Sequence, residues 1–376
     1  MSKYVKFTFN NGELNQTLAN LFRDMLEKGV VDAVLAPADQ GNERVMQTLI
    51  SDAGELDSID PFAPVVPVNS AKLVSSLTAQ PSGRPVAAVM RSCEVRALIE
   101  LVKLKQADLD DIVLIGMDCL GRYENTDYVK LRTENKSTED FLEAAGDGKT
   151  EVDGMDISSA CTACEYPVAP NVDLRLCVIG AEAGTFYVEG VSNRGQAVLE
   201  KLELVGGEEP AEREEKVKNL ITARSESRDQ LLSAFRNDTD DFQKLQEHLA
   251  GCINCYNCRV ACPVCYCKEC VFVTDTFRHA GDQYINWADQ QGALKMPSDT
   301  VFFHLTRLAH ISTLCVGCGQ CSSACPNGIE LMPLFRSVSE TSQARFNYLA
   351  GRSLEEAQPL ATFYDEELVE VTGQVK

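Results

Sequence analysis

No stretch of the chain reaches the roughly 18 unbroken apolar residues of a membrane span. The nearest, VAAVMRSCEVRALIELVKL, is interrupted by Arg91, Glu94, Arg96 and Glu100, so no membrane span is expected. Basic residues are outnumbered as well: 35 Lys and Arg against 56 Asp and Glu leave a formal net charge of −21. Nucleic-acid surfaces need basic patches, so that partner class is set aside, and the acidity reads as a well-solvated surface. The opening MSKYVKFTFNNGELNQ lacks the basic start, apolar run and small-residue cleavage site of a secretory leader. A cytoplasmic, reducing setting is therefore expected, in which disulfides are rare. Cysteine itself is abundant, with 16 in 376 residues, so the thiols need another use.

The length allows two or three domains of about 150 residues each. Residues 1–205 alternate strand-like apolar runs with helical periodicity, the pattern of an α/β domain with a largely parallel sheet. YVKFTF reads as a strand. LNQTLANLFRDMLEKG reads as an amphipathic helix, with Leu14, Leu18, Leu21, Phe22 and Met25 on one face and Gly29 at its end. VVDAVLAP, RPVAAVM and DIVLIGMD follow as strands, and NSAKLVSSLT and EVRALIELVKL as helices. Residues 145–156 look like a polar connector, and LCVIGAEAGTFYVEGV alternates strand-like runs with glycines. Residues 206–250, opening GGEEPAEREEKVKNL, are charged and helix-favouring, with Val217, Leu220 and Ile221 as scattered apolar positions. They read as a helical connector.

Eleven of the cysteines lie beyond that connector, seven of them in GCINCYNCRVACPVCYCKEC, residues 251–270. Cys252, Cys255, Cys258 and Cys262 precede Pro263; Cys315, Cys318, Cys321 and Cys325 precede Pro326. C-x2-C-x2-C-x3-C-P thus occurs twice, the bacterial ferredoxin run in which the fourth cysteine ligates the other 4Fe-4S cluster. One cluster is assigned to Cys252, Cys255, Cys258 and Cys325, the other to Cys315, Cys318, Cys321 and Cys262. Structural zinc prefers paired cysteines or histidines a dozen or more residues apart and fits this spacing poorly. Residues 251–340 are expected to form a two-cluster, ferredoxin-like α+β domain, and residues 341–376 a tail without a readable motif. Cys265, Cys267 and Cys270 are surplus: one could replace Cys262, or they line the cluster pocket as small buried thiols. His304 and His310 read as packing residues near the clusters rather than ligands.

In the N-terminal half, Cys93 follows one strand and Cys119 the next. Strand ends of a parallel sheet share one edge, where ligands bind, so these distant cysteines are brought together. CTACEYP adds Cys161 and Cys164. A third cluster, zinc and ordinary buried cysteines are all open on spacing alone.

GCINCYNCRVACPVCYCKEC, FFHLTRLAHISTLCVGCGQCSSACP and MRSCEVRALIELVKL together resemble the β subunit of archaeal-type formate dehydrogenases. These belong to the wider family of coenzyme F-420-reducing hydrogenase and dehydrogenase β subunits, and the resemblance spans roughly residues 15 to 335. It implies an α/β domain that binds FAD and a 4Fe-4S cluster held by Cys93, Cys119, Cys161 and Cys164. It places the flavin near Gly12, Asn69, Lys72, Gly180 and Gly184. The sequence departs from the family there: NNGELNQT keeps only Gly12 of a glycine pair, and RLCVIGAEAGT has lost part of a small, hydroxyl-rich loop. Glycine matters at such loops because a side chain would block close backbone approach to an isoalloxazine or pyrophosphate.

The role so implied is that of an iron–sulfur flavoprotein subunit of a formate dehydrogenase- or hydrogenase-type complex. Electrons from a catalytic partner subunit would cross the two C-terminal clusters, reach the third and then FAD, which reduces deazaflavin coenzyme F-420 or another acceptor. Nothing resembles a molybdenum, tungsten or nickel site, so no catalytic residue is assigned to this chain. The altered glycine loops favour an alternative: a flavin-free relay and assembly module delivering electrons to a protein such as a heterodisulfide-reductase-like complex. A zinc-stabilised scaffold is the remaining alternative.

Overall fold

The computed structural model describes residues 3–359, so part of the expected 341–376 tail lies outside the described residues. Its frame is a seven-stranded sheet of β1 Lys3–Thr8, β2 Ala33–Asp39, β3 Val45–Ile50, β4 Val86–Arg91, β5 Ile112–Met117, β6 Leu174–Cys177 and β7 Thr185–Gly190. The order is β1-β7-β6-β5-β4-β2-β3. The central strands β2, β4, β5 and β6 run parallel, whereas β3, β7 and β1 each pair antiparallel with their neighbours. The expected largely parallel sheet is therefore parallel only at its centre. Short connections explain β3 and β7, since a tight turn suffices between antiparallel strands while a parallel pair needs a crossover; β1 instead joins β7 from the far end of the domain sequence. Asn42 and Glu43, both at positive φ, make such a turn between β2 and β3.

The helices are α1 Leu14–Glu27, α2 Ser70–Leu77, α3 Ser92–Lys103, α4 Asn125–Thr133, α5 Thr138–Gly146, α6 Ser159–Thr162 and α7 Asn193–Lys201 in the N-terminal half. The connector forms α8 Arg213–Asp238 and α9 Phe242–His248; then come α10 Asn257–Ala261, α11 Gly281–Gln291, α12 Thr300–Ile311, α13 Gln320–Ser323 and α14 Leu331–Arg345. No strand follows β7 among the described residues, so the expected α+β character of the C-terminal half is corrected to helical. The backbone around the thiols turns too sharply for a strand: Asn254, Tyr256, Gly317 and Gly319 all sit at positive φ. No helix among the described residues is long and apolar enough to cross a membrane.

Alternation along β4 and β5 assigns the two layers. Ala87, Val89, Val113, Ile115 and Met117 face α1, whose Leu14, Leu18, Leu21, Phe22 and Met25 are buried as the periodicity predicts. Ala88, Met90, Ile112 and Leu114 face the other way, into a core shared by α3 and the cysteine-bearing half, including Phe303, Leu331 and Phe335. The cysteine runs are thereby packed against the same sheet that carries Cys93 and Cys119.

The chain also returns to α3 after α14. Glu100, fully buried, accepts hydrogen bonds from Tyr348 Oη at 2.6 Å, Gly351 N at 2.6 Å and Gln358 Nε2 at 2.9 Å, and pairs with Lys103 Nζ at 2.9 Å. Breaking a buried charge network leaves its partners unpaired, typically at about 3–5 kcal/mol. Glu100→Ala should therefore lower the apparent melting temperature and open residues 346–359 to protease. An unchanged melting temperature and cleavage pattern would show that Glu100 does not hold this segment.

Candidate metal centres

Two cavities lie between the sheet-facing core and α12. One is lined by Cys252, Cys255, Cys258 and Cys325, with Tyr256, Phe303 and His304 around them. The other is lined by Cys262, Cys315, Cys318 and Cys321, with Arg307, Met332 and Phe335. Each cavity is lined by three thiols from one run and a fourth from the other. Locally, Tyr256 and Gly319 adopt left-handed φ and start the one-turn helices α10 and α13, which pack together.

The donor set suits a cluster rather than a single ion. Among the described residues, no three His, Cys, Asp or Glu close tightly enough to hold one metal ion. The thiols instead ring a space, as a 4Fe-4S cube with one thiolate per iron requires. Burial pushes the Cys258 thiol up to about 11 against the opposing Arg307, and burial with Cys262 nearby pushes Cys318 up to about 12. Thiolates are thus disfavoured here without compensating positive charge, which bound iron supplies.

Arg307, which the motif search passed over, sits between the cavities. It donates from Nη1 to Cys258 Sγ at 3.1 Å and from Nη2 to Cys258 O at 3.1 Å, and it also faces Cys262 and Cys321. Its signal in the sequence was a lone arginine in the apolar stretch FFHLTRLAHIS. His304 Nε2 lies 3.4 Å from Cys252 Sγ, and burial lowers this histidine to about 3, so the ring is neutral. His310 Nδ1 lies 3.7 Å from Cys267 Sγ. Cys265, Cys267 and Cys270 line neither cavity.

In the N-terminal half, β4 and β5 pair in parallel with Arg91 opposite Met117, which sets Cys93 and Cys119 at one sheet edge. The loop bearing Cys161 and Cys164 is pinned there, since Cys119 N donates to Pro167 O at 2.8 Å and Ser92 Oγ to Val168 O at 3.2 Å. Burial pushes Cys93 well up, and its charged neighbours Glu94, Cys318, Cys119 and Cys164 add to the rise. Burial also raises Cys164, beside Cys161, with Arg224 and Arg336 opposing. Cys93 thus has Cys119, Cys164 and Cys318 as neighbours, and Cys164 has Cys161. Contact there is close: a Cβ on Gly319 would lie 2.4 Å from Ala160 Cβ, and Arg122 Nη2 donates to Ser323 Oγ at 2.6 Å.

The five expected flavin contacts each have their own setting within the chain. Gly12 donates its N–H to Glu139 Oε2 at 2.7 Å, and Gly184 O accepts from Phe9 N at 2.9 Å. Asn69 caps α2 through Oδ1 and Ala71 N at 3.1 Å, while Lys72 Nζ donates to Val260 O at 2.6 Å, toward the cysteine half. Gly180, at φ +80, is filled by the chain itself: a Cβ there would lie 2.5 Å from Arg213 Cα. Arg213 is fixed by Asp118, from Nη1 at 2.5 Å and Nη2 at 2.9 Å.

Residues 248–329 match the family model of the 4Fe-4S dicluster domain, the class of site that the paired cavities define. The F420-dependent formate dehydrogenase subunit beta of Methanocaldococcus jannaschii is 27% identical over 370 residues, 90% of this chain and 92% of that protein. The F420-dependent formate dehydrogenase 1 subunit beta of Methanococcus maripaludis is 24% identical over 371 residues, 90% of this chain and 91% of its own length. A chain from a xenon-derivatised F420-reducing NiFe hydrogenase complex of Methanosarcina barkeri shows a looser likeness, with TM-score 0.47 and 11% identity over 64% of this chain and 94% of that one. The resemblance read from the motifs stands: the chain is similar to formate dehydrogenase β subunits, and these curated relatives are subunits of an oxidoreductase.

The crossed arrangement predicts paired phenotypes in the full chain reconstituted without oxygen. Cys262→Ser and Cys315→Ser should each remove roughly four irons and abolish the same EPR signal, and Cys325→Ser and Cys252→Ser the other. If Cys262→Ser instead matched Cys252→Ser, each run would hold its own cluster.

Proposed function

We propose that this chain is the electron-transfer subunit of a formate dehydrogenase- or hydrogenase-type complex, taking electrons from a catalytic partner and delivering them to a two-electron acceptor. Iron–sulfur clusters, when bound, supply reversible one-electron transfer. The supporting observation is the close succession of three thiol sets. Arg307 faces Cys258 of one and Cys321 of the next, and Arg122 faces both Cys318 and Cys161 of the last two. Buried guanidinium groups of this kind hold position and favour added negative charge beside them. Cys93, Cys119, Cys161 and Cys164 are proposed as ligands of the third cluster, and the eight cysteines of the two runs as ligands of the others.

FAD and a deazaflavin substrate extend the proposal, by similarity to relatives named as F420-dependent. A second reading, the flavin-free relay to a protein acceptor such as a heterodisulfide-reductase-like complex, is favoured by one feature: Arg213 fills the space beside Gly180. Anaerobic purification with native partners, followed by iron, sulfide and flavin analysis, separates the two. Iron and sulfide should approach about twelve each per chain. Cys119→Ser should remove about four irons while the signals of the two C-terminal clusters persist. An unchanged iron count would leave the four N-terminal cysteines as buried thiols.

A further inference from the structure

Arg307 reaches both C-terminal cavities from one place. It follows Phe303 by one turn of α12; Phe303 walls the cavity of Cys252, Cys255, Cys258 and Cys325, whereas Arg307 lines that of Cys262, Cys315, Cys318 and Cys321. Its guanidinium carbon sits 5.5 Å from the centre of the Phe303 ring and 4.5 Å from that of Phe335, a wall of the second cavity. The two rings hold the cation between the thiol sets, and the residue is 3% exposed.

A guanidinium carries five N–H donors in a rigid planar fork. Arg307 spends the far end of that fork on a single residue, from Nη1 to Cys258 Sγ and from Nη2 to Cys258 O, each at 3.1 Å. The Nε–H leaves the fork at its side, so planarity keeps it off Cys258 while both Nη contacts hold. It is buried and has no hydrogen-bond partner among the described residues. A buried donor left unmatched is costly and calls for an acceptor. Sulfur is the chemistry at hand on this wall. Burial pushes the thiols of Cys258 and Cys321 up, and Arg307 opposes the rise at both.

We propose that Arg307 is a hydrogen-bond donor shared by both thiol sets: its fork fixes Cys258, and its Nε–H donates to sulfur held in the cavity of Cys262, Cys315, Cys318 and Cys321. One buried cation then favours the reduced form of both clusters. Reduction adds one electron to a cluster and moves no proton from Arg307, because the guanidinium stays protonated. Hydrogen bonds and positive charge beside cluster sulfur raise the potential, and here one side chain does so twice. This role of Arg307 rests on the electron-transfer reading and gives a single residue control of two potentials.

Potentiometric EPR titration of the full chain, reconstituted without oxygen, reads the clusters separately, since Cys325→Ser and Cys262→Ser identify the two signals. Arg307→Lys keeps a cation able to reach Cys258 but has no Nε–H. At a fixed potential the oxidised-to-reduced ratio of the cluster in the Cys262 cavity should rise about tenfold in this variant, a shift of about 59 mV for one electron. The cluster at Cys258 should move less. Arg307→Met removes the charge and every donor, and both clusters should then shift to lower potential. Iron content equal to that of the unmodified protein shows that each variant is folded. Potentials unchanged in both variants, or a shift confined to the cluster at Cys258, overturns the shared role. Loss of iron from both variants overturns it too, leaving Arg307 as a residue needed for assembly. An unmodified chain that takes up no iron removes the electron-transfer reading and this role with it, whereas two clusters whose potentials ignore Arg307 remove only the shared donor.

Discussion

The arrangement of the C-terminal half centres on two cavities, each lined by a fourth thiol from the other cysteine run. Cys262 lines the cavity of Cys315, Cys318 and Cys321, and Cys325 lines that of Cys252, Cys255 and Cys258. Neither cavity is complete without the other run, so the one-turn helices α10 and α13 are drawn together. The segment between the runs must then fold out and return, and α12 on the returning limb lies against both cavities. His304 meets Cys252 and Arg307 meets Cys258 for that reason. The left-handed backbone at Tyr256 is the local cost of turning three thiols inward within so few residues, whereas Gly319 takes the same conformation without strain.

Charge is distributed in opposition to the net composition. The chain carries a formal −21, yet its interior around the thiols is lined by buried arginines: Arg91, Arg122, Arg307 and Arg336. Each is held by acceptors that leave little freedom. Arg336 pairs with Glu165 and donates to Ala163 O at 2.6 Å, and Arg122 donates to Ser323 and pairs with Glu124. Buried guanidinium groups are costly unless matched, and here carboxylates, carbonyls and thiols match them. Surface acidity and buried positive charge therefore serve separate ends, solvation outside and electrostatic stabilisation of anionic sulfur within.

Docking of the two halves has a similar logic. Because β4 and β5 alternate, one set of their side chains packs on α1 and the other on the core shared with the cysteine half. The third thiol set, at the ends of the same strands, is consequently beside Cys318 rather than across the molecule from it. The segment after α14 closes the joint, with Arg96 donating to both Ala350 O and Val316 O. The nearness of Cys93 to Cys318 follows from this packing, without any dedicated linker.

Local spacing was legible from the residues alone. The duplicated run, the apolar face of α1 and the buried strands β4 and β5 are all properties of contiguous residues, whose geometry is set by the helical and extended repeats. Strand β3 was not legible, because VMQTLI is half-exposed at an edge and its pairing depends on the turn at Asn42 and Glu43. Nor was the helical character of the C-terminal half, since turns around the thiols exclude strands only once both runs are packed. Which glycines stand open to a ligand was decided wholly in three dimensions: Gly180 looks available in the sequence, but Arg213, more than thirty residues later, occupies its face. Asp60 and Arg132 carry no motif, and they line one hollow only because segments distant in sequence converge. Spacing within a run determines which thiols can share a cube; burial of distant side chains against one another determines what else stands beside it.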